Sequence, residues 1–120
     1  MSRAQVVKEE VREQDKLFLA LYFEAKNAGL IFLSEGEDQL GTLAVAIPQT
    51  REKMIGPPVS SLLLGDRNVV LARLFAEQVA QKIKKIALVS VFTKTTGEME
   101  AGRIFMKLVE KIVGKGEGEK

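Results

Sequence analysis

The strand-forming segments of this chain carry apolar side chains on both of their faces, and this feature limits the possible folds more than any other. Successive side chains of a β-strand point to opposite faces of its sheet. In the run 16–24, one face would hold Leu17, Leu19, Leu21 and Phe23, and the other Phe18, Ala20 and Tyr22. A sheet with one face in water should instead alternate apolar with polar residues. Both faces of this sheet therefore need to be covered.

The order of the predicted elements indicates an α+β fold with a mostly antiparallel sheet. Short links and turn residues separate five strand-like runs: 5–11, which fits strand and helix about equally, and then 16–24, 30–34, 40–47 and 59–64. A helix, a sixth strand over 86–92 and a second helix complete the order β-β-β-β-β-α-β-α. We expect both helices to pack on the six-stranded sheet.

The two helices are predicted from a change in the apolar period. Leu71, Phe75 and Val79 recur at every fourth position, which is typical of an amphipathic helix. The spacing of Thr95 and Glu98 is that of a capping box, which would begin the second helix.

Length and composition predict one domain. A chain of 120 residues with 46% hydrophobic and 28% charged residues is typical of a single globular unit. We place the domain at 1–113 and a flexible C-terminal tail at 114–120. With no signal-like or membrane-spanning apolar run, a cytoplasmic protein is expected. The absence of Cys and His, together with many Lys–Glu pairs, is a compositional hint of a thermophile.

Two amphipathic helices can cover about one face of such a sheet, so the other face is predicted to bind a second copy of the chain. The alternative is a monomer in which one helix crosses each face. The sequence does not decide which face associates. We take the face with the smaller side chains, which gives an interface of Phe18, Ala20, Tyr22, Ala44 and Ala46.

The residue types needed for most catalysis are missing. Without His or Cys, the chain lacks the commonest general base, the soft metal ligands and the thiol nucleophile. Gly36 and Gly41 have the spacing of a phosphate-binding loop, but acidic residues lie between them and no Lys follows. The net charge of +2 comes from interleaved acids and bases, which does not favour nucleic acid as a partner. We therefore predict no catalytic residue, no metal and no cofactor.

Three short motifs and their order resemble the proteasome-assembly-chaperone family, and its third member in particular. The motifs are Leu-Gly-Thr-Leu at 40–43, Leu-Leu-Leu-Gly-Asp at 62–66 and Leu-Phe-Ala-Glu-Gln-Val at 74–79. The resemblance extends over residues 6–113 in the same element order. It implies a small α+β protein that dimerises and helps proteasome α subunits assemble into rings. The composition would fit an archaeal member of the family.

The sequence and the resemblance together suggest a non-enzymatic, protein-binding scaffold that acts as a homo-oligomer. Its partners would be proteasome α subunits or a paralogous assembly chaperone. We expect two polar loops to contact them through Glu35, Glu37, Asp38, Arg51 and Lys53. The alternative function is a small-ligand sensor or regulatory subunit with a pocket between sheet and helices.

Overall fold

The computed structural model describes residues 3–48 and 59–118, with side chains described as far as Val113. Its elements follow the predicted order, and the first segment is a strand. They are β1 (Gln5–Glu13), β2 (Lys16–Glu24), β3 (Ala28–Glu35), β4 (Thr42–Ile47), β5 (Val59–Leu64), α1 (Val69–Ile83), β6 (Ile86–Phe92) and α2 (Glu98–Gly118). None of the helices in the described ranges is long and apolar enough to cross a membrane.

The six strands form one mixed sheet in the order β1-β2-β3-β6-β4-β5. All neighbouring pairs are antiparallel except β3 and β6, which run parallel. β6 lies between β3 and β4, so the loop that joins those two strands has to cross the end of β6. The predicted fold class, α+β with a mostly antiparallel sheet, is confirmed.

Both helices pack against the same face of the sheet. α1 contacts β3, β4, β5 and β6, and α2 contacts β1 and β2. The core lies between the two layers, where the rings of Phe18 on β2 and Phe105 on α2 meet edge to face at 5.8 Å. The chain measures 20 Å along its shortest axis, which matches a sheet with a single layer of helices.

The structure corrects the predicted choice of interface face. Phe18, Ala20, Tyr22, Ala44 and Ala46 lie under the helices, and each is at most 2% exposed. A second copy cannot reach these side chains while the helices are in place.

The predicted interface face was wrong because the small side chains pack in the contact between α1 and the sheet. Ala72, Ala76 and Ala80 of α1 are fully buried, as are Ala44 and Ala46 of β4. Small side chains on both elements let the helix approach the sheet closely. On β4, the alanines therefore lie on the helix side, and the larger Leu43, Val45 and Ile47 lie on the opposite face.

α2 differs from its prediction at both ends. It begins at Glu98, so Gly97 and not Thr95 occupies the capping position, and the Thr95 hydroxyl donates a hydrogen bond to the Glu35 carboxylate. The helix continues to Gly118, so the backbone of residues 114–118, which the sequence predicts as part of a tail, is helical. Residues 119–120 lie outside the described residues.

Candidate protein-binding surface

The face of the sheet opposite the helices is apolar across its centre. We call it the open face, because no described helix covers it. Residue pairing across the strands places these apolar side chains together: Leu17, Leu19, Leu21, Phe23, Leu30, Phe32, Leu43, Val45, Ile47, Leu88 and Phe92. Phe23 is 40% exposed and Ile47 is 56% exposed. A contiguous apolar surface of this kind is characteristic of an interaction site.

The size of the open face suits a protein interface. Six strands at about 4.8 Å spacing, each about 20–30 Å long, give a face of roughly 600–850 Å². A stable protein–protein interface buries about 800 Å² on each partner. The open face alone could therefore provide one complete interface.

The two edges of the open face differ in chemistry. On β1, Lys8, Glu10 and Arg12 point to this face and are exposed; we call them the charged strip. On β5, at the opposite edge, Val59 and Ser61 pair with Ile47 and Val45 and share their face. The open face thus has an apolar centre, one charged edge and one uncharged edge.

The loop between β3 and β4, residues 36–41, lies over one end of the open face. The Ser34 hydroxyl lies 3.2 Å from both the backbone N–H and the carbonyl oxygen of Gln39. The Gly41 N–H donates to the Ser90 hydroxyl at 2.8 Å. Ser34 and Ser90 belong to the open face, and both are fully buried because this loop covers them.

Gly41 allows the loop to approach the sheet. A Cβ atom at this position would come well within 3.0 Å of the backbone carbonyl of Val91 on β6. Any larger residue would have to lift the chain away from β6. The Gly-Thr-Leu motif therefore has a packing role at this crossing.

Glu35 is the most constrained charged residue among the predicted contact residues. It ends β3 and is 4% exposed. Its carboxylate accepts hydrogen bonds from the backbone N–H groups of Lys94, Thr95 and Thr96 at 2.8, 3.2 and 3.1 Å, and from the Thr95 hydroxyl at 3.0 Å. Burial by itself would raise the pKa of Glu35. The hydrogen bonds from Lys94, Thr96 and Thr95 outweigh burial and lower this pKa to about 2.

The role of Glu35 is therefore to hold the turn between β6 and α2, and its carboxylate is not presented to a partner. The predicted contact residue is corrected on this point. No residue near Glu35 in the sequence indicates this role, because Glu35 and its donors are about sixty positions apart and meet only where β3 and β6 end side by side.

The other predicted contact residues fall into two groups. Glu37 and Asp38 are exposed in the loop over the open face, where Glu37 lies 3.7 Å from the ammonium group of Lys94. Asp38 lines a depression of the open face together with Leu19 and Leu21. Arg51 and Lys53 lie outside the described residues.

The space between sheet and helices, where the alternative function placed a ligand, is occupied by core side chains. Phe18, Tyr22, Phe75 and Phe105 are each at most 1% exposed there. A groove of about 560 Å³ lies elsewhere, on the outer side of the helices near Leu74 and Met106. Within residues 3–48 and 59–118, no group of three or more acidic side chains is arranged to hold a metal ion.

A comparison with solved structures identifies a similar fold. One chain from the crystal structure of a chaperone complex for yeast 20S proteasome assembly matches this chain with a TM-score of 0.68. The match covers 97% of each chain, and the two sequences are 13% identical. No known protein-family model and no curated protein matches the sequence. The comparison supports the predicted resemblance in fold, and at this identity it shows the fold alone.

Proposed function

We propose that this chain is a non-enzymatic scaffold of the assembly-chaperone type, which binds a second copy of itself through the open face. The apolar centre of that face supports the proposal most directly. Removing apolar surface from water stabilises a complex by about 25 cal/mol per Å², before the costs of association. Half-buried leucine, valine and phenylalanine side chains in one contiguous layer are suited to packing against a second sheet.

The proposed clients of the dimer are proteasome α subunits or a paralogous assembly chaperone, and the proposed location is the cytoplasm. The fold shared with a chain of the yeast assembly-chaperone complex supports this choice of clients. Since fold does not determine function, the choice needs its own experiment.

The dimer is tested by placing a charge in the centre of the open face. We expect Val45→Lys to convert a dimer of about 26 kDa into the 13.2 kDa monomer. Buried in a sandwich, the new ammonium groups would lack partners, whereas in a monomer they reach water. The control is Met99→Lys on α2, where the side chain is already 92% exposed, and it should leave the mass unchanged. Size-exclusion chromatography with light scattering measures both. Equal masses for the two variants would contradict the proposal.

Client binding is tested separately, with purified proteasome α subunits. The charge reversals Glu37→Lys and Asp38→Lys change exposed loop residues, so they should weaken binding without lowering the melting temperature. Glu110→Lys, at an exposed position of α2 on the other side of the sheet, is the matched reversal outside this loop. If the unaltered chain does not bind the α subunits, the proposed clients are wrong. If it binds them and the loop reversals leave binding unchanged, the loop is not the contact.

A further inference from the structure

The two edge strands of the sheet differ in their protection against pairing with another chain. In an edge strand, the backbone N–H and C=O groups of every second residue point away from the sheet and can pair with a further strand. Charged side chains or proline usually prevent this. β1 is protected, because the charged strip lies along it together with Glu9 and Glu13. β5 is not, because none of the residues Val59–Leu64 is charged and none is proline.

Large apolar side chains are exposed along β5. Four of them are between 41% and 60% exposed: Val59, Leu62, Leu63 and Leu64. The neighbouring helix adds to this surface. The Arg73 side chain donates a hydrogen bond to the Ser60 hydroxyl at 3.1 Å, which places α1 beside β5, and Val70, one turn earlier on α1, is 69% exposed. This edge therefore combines free backbone groups with an apolar surface.

The outer side of β5 has no partner strand within residues 3–48 and 59–118, where β5 pairs with β4 alone. Pairing is regular from Val59 to Leu62, and Leu63 is an extra residue without a partner on β4. A bulge of this kind limits the straight part of an edge. The straight edge of β5 is therefore short, and Leu63 and Leu64 provide apolar side chains at its end.

We infer that a segment of the client binds β5 by adding to the six-stranded sheet as a further strand. This inference rests on the proposed function, whose clients are proteins. Because the free groups of β5 are backbone groups, the segment that pairs with them has an extended conformation. β5 offers only aliphatic side chains and serine, so the segment is uncharged and carries apolar side chains at alternate positions.

A second copy of β5 is the competing occupant of this edge. In the proposed dimer, the open face already holds the two copies together. If β5 also paired with β5, each dimer would be linked to another through a second two-fold contact, and the assembly would grow beyond two copies. β1 of another copy is a poor match, because it would bring the charged strip against an uncharged strand. A client segment completes the edge and leaves the dimer unchanged.

Hydrogen exchange of backbone amides tests strand addition directly. In the free protein, the amides of β5 that face β4 are paired, and those that face outward are open to water. When the protein is saturated with purified proteasome α subunits, we expect the outward amides of residues 59–64 to exchange roughly tenfold more slowly, or slower still. The control is β1, residues 5–13, whose outward amides should exchange as fast as in the free protein.

The possible results of this experiment are distinct. If the α subunits bind and exchange in β5 is unchanged, the inference is overturned and the proposed clients stand. If the α subunits do not bind at all, the proposed clients and the inference are both overturned. If exchange in β5 slows in the protein alone as its concentration rises, and the mass exceeds that of the dimer, the occupant is a second copy and the inference is overturned.

A charge on β5 tests the same edge by substitution. Leu62 pairs with the buried Ala44, so it lies on the helix side of the sheet, away from the open face. We expect Leu62→Lys to weaken binding of the α subunits roughly fivefold or more, because a lysine on an edge strand opposes the addition of an apolar strand. The matched control is Gln5→Lys, at an exposed position on the helix side of β1, which should leave binding unchanged. Light scattering should give both variants the same mass, which separates this effect from dimerisation. Equal binding by the two variants would overturn the role of β5.

Discussion

Glu35 offers the sharpest test of the structure described above. Its carboxylate holds three consecutive backbone N–H groups and one hydroxyl at the start of α2. The pKa of about 2, against an ordinary value of 4.5, means that folding favours the charged carboxylate. At about 1.4 kcal/mol for each pKa unit, the ionised form contributes about 3 kcal/mol to the free energy of unfolding. Glu35→Gln should lose most of this at pH 7.

The pH dependence has a defined sign. Because the pKa of Glu35 is lower in the folded protein, its contribution is complete above about pH 4.5 and is lost as the pH falls towards 2. The difference in stability between the unaltered chain and Glu35→Gln should therefore shrink over that range. The matched control is Glu37→Gln, two residues along, whose ion pair with Lys94 is solvent-exposed and should contribute little.

Urea unfolding followed by far-UV circular dichroism measures these differences at equal protein concentration. The chain has no tryptophan and one tyrosine, which makes the backbone signal the better probe. If Glu35→Gln destabilises the protein no more than Glu37→Gln at pH 7, the described role of Glu35 is refuted. A difference that stays constant from pH 7 to pH 2.5 would also refute it.

Three further changes test the packing, each by the same urea assay. Gly41→Ala should cost about 1–3 kcal/mol, because the new methyl group collides with the carbonyl of Val91. If Gly41→Ala is as stable as the unaltered chain, the loop does not approach β6 closely. Phe105→Ala should cost about 3–5 kcal/mol, as it removes a fully buried ring, and a loss under 1 kcal/mol would contradict its place in the core. Lys111→Ala removes the ion pair between this exposed lysine and the largely buried Glu9 side chain and should cost about 1 kcal/mol, and an effect several times larger would mean that α2 depends on that pair.

Much of the fold could be predicted because local chemistry determines the element types. In the strands, side chains alternate between two faces. At Leu71, Phe75 and Val79, apolar residues instead recur at every fourth position, and the structure has the helix α1 there. The surplus of apolar strand surface also follows from the sequence alone. The structure places that surplus on the open face, which neither of the two described helices covers.

The features that could not be predicted depend on contacts between distant segments. Which face of the sheet the helices cover depends on how closely α1 can approach it. That approach is set by Ala72, Ala76 and Ala80, together with the alanines of β4. From the sequence alone, Glu35 is predicted to be a solvent-exposed loop residue, because the pairing of β3 with β6 is not known at that point. Ser90 is buried because the loop between β3 and β4 crosses the end of β6, and this crossing follows from the strand order. Each of these needs the topology before the residue can be interpreted.

We propose that the open face holds two copies of this chain together. Sedimentation equilibrium of the unaltered protein at micromolar concentrations tests it without any substitution. We predict a mass of about 26 kDa, twice the 13.2 kDa of one chain, or a multiple of that dimer. A single species of 13.2 kDa over the whole concentration range would contradict the claim.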